Sequence, residues 1–199
     1  MTPDRVTGVV LAAGSSRRLG QPKQILPYRD STLLGETLRM ARQCGFDQLI
    51  VTLGGAAAQV TEQVPLGGVE SVVVDDHGSG CSASLKVAMT MVDPRSAGLV
   101  VLLGDQPGVS PDTVRRLIVT GMSEQITVCR YDDGIGHPFW LRRDIFGELT
   151  QLHGDKGVWK LLDSGRFGVG EVAADGPVPL DVDTEASAVE QLPHSFVAV

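Results

Sequence analysis

The chain is poor in cysteine, in aromatic side chains and in long apolar runs, and each shortage removes a class of protein. Its three cysteines, Cys44, Cys81 and Cys129, are odd in number and form no Cys-x-x-Cys pair. A disulfide framework and a thiolate zinc knuckle are both disfavoured. Aromatic residues make up 5% of the 199 positions, too few to stack a run of unpaired bases. Basic residues number 17 against 24 acidic ones, for a formal net charge of −7. A nucleic-acid binder usually needs a basic face, so nucleic acid is not an expected partner. No apolar run approaches the roughly 20 residues of a membrane helix. The opening MTPDRVTGVVLAAG has no basic stretch ahead of a cleavable apolar one. It reads as a strand entering a glycine loop rather than a signal peptide. The expectation is a cytoplasmic protein with no membrane partner.

What is present is an ordinary core-forming composition, 42% hydrophobic and 21% charged with mean hydropathy +0.08. The length suits a single domain spanning residues 1–199. The pattern alternates. Residues 6–12 (VTGVVLA), 48–53 (QLIVTL), 69–75 (VESVVVD) and 98–105 (GLVVLLGD) read as strands, the last the most apolar and central. Between them, Leu34, Leu38 and Ala41, then a short AAAQVTEQV helix, then Leu85, Ala88, Met89 and Val92 recur at helical spacing. Val114, Leu117, Ile118 and Gly121 mark a further helix with Pro111 in its first turn. This order predicts a three-layer αβα fold on a mostly parallel, Rossmann-like sheet, whose ligands collect at the carboxyl edge. After about Gln125 the rhythm loosens into strand-like QITVCRY and HPFWL, a helix around Val158, Leu161 and Leu162, and a strand FGVGEVA. This is an irregular C-terminal portion ending in a loosely attached LPHSFVAV tail.

The most informative segment is residues 11–27, LAAGSSRRLGQPKQILP. It leaves a strand through small residues, then offers Gly14, Ser15, Ser16, two arginines, Gly20 and Lys23. Small residues let backbone N–H groups approach and cradle an anion. Arginine adds bidentate phosphate contacts and lysine a mobile charge. The set fits a triphosphate better than an exposed loop with solvated basic residues. Lys23 follows Pro22 and precedes Gln24, so this is not a Walker A loop; nor does it contain Gly-x-Gly-x-x-Gly.

The segment resembles the L-A-A-G-x-S-x-R-M-G-x-x-K-x-L-L-P signature of nucleotidyltransferases of the MobA/MocA type. Leu11, Ala12, Ala13, Gly14, Ser16, Arg18, Gly20, Lys23, Leu26 and Pro27 match, with Leu19 and Ile25 as apolar replacements. The Ala-Ala-Gly form leans to the molybdenum cofactor cytidylyltransferases; guanylyl enzymes usually read L-A-G-G. The resemblance implies a loop wrapped around the nucleotide, with Leu11 to Ser16 along it and Arg18 and Lys23 on the phosphates.

Asp105 lies just past the most apolar strand, between Gly104 and Pro107. A carboxylate at the mouth of a phosphate site suits Mg²⁺, which uses one or two carboxylates and substrate phosphates. Gly104-Asp105-Gln106-Pro107 also resembles the family's G-D-x-P metal motif. Asp181 and Asp183 alternate on PLDVDTEAS and so share one side of an extended segment. The stretch resembles the family's D-I-D-T-P-E-D ending, which implies one of the two, Asp183 by preference, as second ligand. Helix capping by Asp183 or Thr184 is the plain alternative.

The segment DDHGSGCSASLK sets Gly80, Ser82 and Ser84 at a helix start, where N–H and O–H donors could read a pyrimidine edge or merely cap the helix. The family's Q-G-x-x-x-S pattern implies base and ribose contacts there. Cys81 reads as a small packed residue, without a catalytic partner. Gly136, His137 and Pro138 resemble the family's acceptor-side G-H-P; Asp155, in HGDKGVWKLL, resembles part of a further G-D-x-G-x-R stretch where Lys160 offers a cation.

The whole reads as an Mg²⁺-dependent nucleotidyltransferase. It would move a nucleoside monophosphate, from CTP in preference to GTP, to a molybdopterin-type acceptor, with a molybdoenzyme or maturation chaperone as downstream partner. Lys23, Arg18 and Asp105 are the expected catalytic residues. A sugar or polyol phosphate would preserve the chemistry. A non-catalytic pterin binder and an NAD(P)-dependent oxidoreductase are the competing classes, the second disfavoured by the missing dinucleotide fingerprint.

Overall fold

The computed structural model describes residues 5–14, 20–75, 80–154 and 156–179. Among them the chain begins with β1 (Arg5–Ala12), whose Val-rich run is buried on both faces, as a strand inside a parallel sheet must be. A 3₁₀ turn, Lys23–Ile25, leads into a small hairpin, β2 (Pro27–Tyr28) and β3 (Ser31–Thr32). Then α1 (Leu33–Arg42), β4 (Gln48–Leu53), α2 (Ala57–Gln63), β5 (Glu70–Val73), α3 (Cys81–Met89) and β6 (Ser96–Leu103) follow. The C-terminal part holds α4 (Pro111–Gly121), β7 (Ile126–Tyr131), β8 (Gly134–Arg142), α5 (Phe146–Leu149), α6 (Trp159–Asp163) and β9 (Val169–Ala173).

Seven strands form one sheet in the order β5-β4-β1-β6-β8-β7-β9. β1 pairs in parallel with β4 and β6, and β4 with β5; β8 runs antiparallel to β6 and β7, and β7 parallel to β9. The sheet is therefore mostly parallel and Rossmann-like, with β6 at its centre, as its apolar run predicts. One face packs against α1, α2 and α4, through Leu34, Leu38, Val60, Val114 and Leu117. The other packs against α3, α5 and α6, through Leu85, Ala88, Leu149 and Leu161. Local signals start the helices. The Thr32 side chain accepts from the Gly35 N–H at the head of α1, and Ser110 from the Asp112 N–H at the head of α4, where Pro111 sits in the first turn.

Three expectations shift. The strand expected at 69–75 is only Glu70–Val73, mostly exposed, because it is an edge strand. The helix expected to reach Val92 ends at Met89. Residues beyond Gln125 extend the sheet; the irregularity lies between β8 and β9, where α5 and α6 are each about one turn long. The 3₁₀ turn, the hairpin and α5 carry no period that a pattern search detects. The C-terminal tail lies outside the described residues.

Candidate active site

The register fixes the geometry of the carboxyl edge. Leu11 pairs with Leu103 and Thr52, and Ala12 with Leu53, so the exit of β1 lies between Gly54 and Gly104. Both neighbours need glycine. A Cβ on Gly54 would lie 2.4 Å from the Ala13 carbonyl oxygen, and one on Gly104 2.7 Å from Ala12 Cβ. The Gly104 N–H donates to the Leu11 carbonyl at 2.9 Å. Thr37 on α1 donates its hydroxyl to the Gly104 carbonyl at 3.1 Å. Ala12 and Ala13 are buried, Leu11 half-buried and Gly14 exposed.

Gln24 closes this loop from beneath. It is almost fully buried, and its amide donates to the carbonyls of Ala12 at 2.6 Å and Gly14 at 3.1 Å. The two ends of the exit are thus gathered by one side chain, and the adjacent Lys23 passes over Gly14. Lys23 Nζ forms an ion pair with Asp105 Oδ2. The side chains are 20% and 12% exposed, so the pair is shielded from the solvent screening that makes surface pairs weak. The expected cation and carboxylate therefore meet in one place. Ser15, Ser16 and Arg18, assigned to the same loop, lie outside the described residues.

The start of α3 differs from expectation. Gly80 occupies the N-cap with φ +83°, where a side chain is disfavoured. Ser82 is 1% exposed, and its hydroxyl donates to the Gly154 carbonyl at 2.6 Å. Its N–H points to the same oxygen at 3.3 Å. The Ser82 hydroxyl proton is therefore committed to the protein and not offered to a base edge. Ser84 is buried on the inner face of α3. Cys81, expected to be packed, is exposed because the first residue of α3 faces outward. Lys160, expected as an offered cation, donates to the His153 carbonyl at 2.5 Å. Cys44 and Cys129 are buried, and burial pushes both thiols up to about 12, which leaves them unreactive.

Gly136, His137 and Pro138 sit where β8 leaves its neighbours. Its pairing with β6 stops at Phe139 opposite Val101, and its register with β7 shifts between Val128 and Cys129. The His137–Pro138 peptide is cis. The His137 ring lies 4.2 Å from that of Phe139, and Phe139 meets Trp159 edge-on at 5.2 Å. Burial of the partly exposed His137 ring among these groups pushes its pKa down to about 4, so the imidazole is neutral at pH 7. Tyr131 donates its hydroxyl to the His137 carbonyl at 2.7 Å. Gly136 leaves room for Val178, which a Cβ would meet at 2.8 Å. A cavity of about 360 Å³ lies beyond the Gly108 turn, between Tyr28, Tyr131 and Asp175. Asp155, Asp181 and Asp183 lie outside the described residues.

Sequence reasoning missed Gln24, Thr37, Gly54 and Tyr131. Gln24 carries a usable signal, a polar residue between Lys23 and the apolar Ile25-Leu26 pair; the others show only in the packing.

Fold and edge together define an α/β protein with a small-residue loop, a lysine and a carboxylate gathered at the carboxyl ends of its central strands. The chain belongs to the family of the MobA-like NTP transferase domain, which matches residues 8–169. It is 36% identical over 139 residues to the nicotine blue oxidoreductase of Paenarthrobacter nicotinovorans, covering 69% of this chain and 67% of that protein. It is 38% identical over 74 residues to the molybdenum cofactor guanylyltransferase of Xanthomonas euvesicatoria pv. vesicatoria, covering 35% of this chain and 39% of that one. The crystal structure of Rv0371c from Mycobacterium tuberculosis H37Rv superposes with a TM-score of 0.90 at 60% identity, covering 96% of this chain and 97% of that one. A structure of the same protein in complex with manganese superposes with a TM-score of 0.85 at 57% identity, over 95% and 97%. Among the described residues no helix is long and apolar enough to cross a membrane.

Proposed function

We propose that the protein transfers a nucleoside monophosphate, CMP in preference, from its triphosphate to a phosphorylated molybdopterin-type acceptor and releases pyrophosphate. The observation that carries this reading is the contact of Lys23 with Asp105, 82 residues apart in sequence, at the mouth of the β1 loop. Membership of an NTP transferase family and the name of the guanylyltransferase relative support it; the Ala-Ala-Gly form of the loop favours CTP.

The donor set fits a hard divalent cation. Asp105 supplies one carboxylate, and no cluster of three or more His, Cys, Asp or Glu lies ready among the described residues. Mg²⁺ accepts such a sparse site because it retains water and takes phosphate oxygens. Manganese in the Rv0371c crystal has the same preference for oxygen ligands. Asp105 would hold the ion with Asp183, and an ion bound there would neutralise charge on the phosphates.

An acceptor phosphate oxygen attacks the α-phosphorus in line. The new P–O bond forms as the bond to the β-phosphate oxygen breaks, and pyrophosphate leaves with that electron pair. Catalysis is positioning and charge neutralisation, without a covalent enzyme intermediate. Lys23 exchanges the Asp105 carboxylate for the α-phosphate, which frees that carboxylate for the cation. Backbone N–H groups at Ala13 and Gly14, with Ser15, Ser16 and Arg18, bind the remaining phosphates. Gly136, His137, Pro138 and Asp155 line the acceptor side, where the neutral His137 ring offers a flat surface.

The test is pyrophosphate release from each of the four triphosphates with Mg²⁺, with and without molybdopterin. Release with CTP that depends on the pterin is expected. Pterin binding without release from any triphosphate would instead assign a carrier role.

The relative named as an oxidoreductase favours a second reading, NAD(P)-dependent redox chemistry at the same edge. A saturable fluorescence change on titration with NADH or NADPH would support it, and a flat titration would remove it.

A further inference from the structure

Ser82 joins the start of α3 to a turn that lies 72 residues away in sequence. The N-cap of α3 is Gly80, with no side chain to cap the helix, and the first-turn N–H groups of a helix need an acceptor. The Gly154 carbonyl takes that role from outside, receiving both the hydroxyl and the N–H of Ser82. The preceding carbonyl, of His153, is held from the other side by Lys160. Two successive peptide oxygens are thus pinned by donors from α3 and α6, between the buried anchors Leu152 and Val158. Gly154 adopts φ +76°, and nothing lies within 4 Å of where its Cβ would be. At Gly154 the turn is held by its backbone conformation and the Ser82 donors rather than by side-chain packing.

We infer that Ser82 is a positioning residue that sets the spacing between the nucleotide-side helix α3 and the acceptor-side turn around Gly154. Among the described residues the buried hydroxyl bonds the Gly154 carbonyl, and without it that oxygen keeps the longer N–H contact. A cap that merely stabilised α3 would affect both substrates alike; a positioning contact acts on the acceptor alone. The kinetic consequence rests on the transferase reading, whereas the contact itself is testable without it.

The experiment compares wild type, Ser82→Ala, Ser82→Thr and Gly154→Ala as full chains, by amide hydrogen exchange without ligand and by steady-state pyrophosphate release. Ser82→Ala should speed exchange at the amides of Trp159, Lys160 and Leu161, which bond back to Lys156, Gly157 and Val158, by about tenfold, the scale of one lost hydrogen bond, with β1 and β6 unchanged. The KM for the acceptor should rise about fivefold to tenfold while that for the triphosphate stays within about twofold. Ser82→Thr, which keeps the hydroxyl, should restore both. Gly154→Ala strains the same turn, so its effect combined with Ser82→Ala should be less than the product of the two. An unchanged acceptor KM in Ser82→Ala, equal rises for both substrates, or faster exchange confined to α3 would overturn the inference. If the wild type releases no pyrophosphate the transferase reading fails, and the exchange data alone decide the contact. If Ser82→Thr does not fold, Gly154→Ala and the pairwise comparison carry the test.

Discussion

The two regions to which the proposed function assigns nucleotide and acceptor are built on different principles. On the nucleotide side, β1, β4 and β6 run in parallel register and deliver Ala12, Gly54 and Gly104 to one edge. The Lys23–Asp105 pair lies beside closely approaching backbone, where a side chain on Gly54 or Gly104 would collide with Ala13 or Ala12. On the acceptor side, β8 runs antiparallel, its register shifts near His137, and the chain continues through helices of about one turn. There side-chain hydrogen bonds tie backbone carbonyls across the fold, from Tyr131 to His137 and from Ser82 to Gly154. On the proposed function, the parallel half would handle the common triphosphate and the irregular half would meet the acceptor, a division by which one fold can keep its chemistry and change its substrate.

Perturbing the parallel side should have the larger consequences. Lys23→Ala should lower pyrophosphate release by about 10²–10³-fold, the scale of losing one donor to developing charge. The chain should still fold, with a lowered melting temperature because Asp105 loses this partner; near-normal turnover would remove Lys23 from the mechanism. Gly54→Ala sets a methyl 2.4 Å from the Ala13 oxygen, a backbone atom that must shift. Urea unfolding should register a loss of about 1–3 kcal/mol, as for other overpacked sites. An unchanged midpoint would mean that this side also yields.

The acceptor side should respond more gently and depend on pH. Because the folded pKa of His137 is pushed down to about 4, the unfolded chain, near the usual 6.5, binds more protons between those values. The contribution is complete above about pH 6.5 and is lost as pH falls toward 4. For this partly exposed ring it amounts to on the order of 2 kcal/mol. Urea titrations across that window should show stability rising with pH, and His137→Gln should flatten the rise. An identical slope in the variant would assign the effect to other groups. Tyr131→Phe removes one hydrogen bond and should cost about 1 kcal/mol. It should raise the acceptor KM while leaving that of the triphosphate alone; a matching rise in both would erase the distinction between the two sides.

The contrast also explains what could be read in advance. The strand at 48–53 appears with the bounds its pattern suggests, and β6 is central, because burial on both faces leaves a continuous apolar run. Lys23 and Asp105 were legible as residue types at strand exits. At Ser82 the sequence leaves base contact and helix capping both open, since a serine at a helix start looks the same whether it faces a ligand, its own helix or a distant turn. Cys81 was misplaced for the same reason: one step along a helix start separates an outward from an inward side chain. Tyr131 acts through a backbone carbonyl, which leaves no trace in the sequence, whereas Gln24, which also binds carbonyls, is marked by its place between Lys23 and an apolar pair.

The sequence by itself determined the alternation of strands and helices, the anion-ready loop and the shortage of thiols and aromatics, since all of these follow from local spacing and residue chemistry. Only the tertiary structure decided that Lys23 meets Asp105 and that Ser82 holds Gly154. Those partners are set by strand order and crossover packing, and the energy that selects them is shared across two buried faces of the sheet rather than written in neighbouring residues.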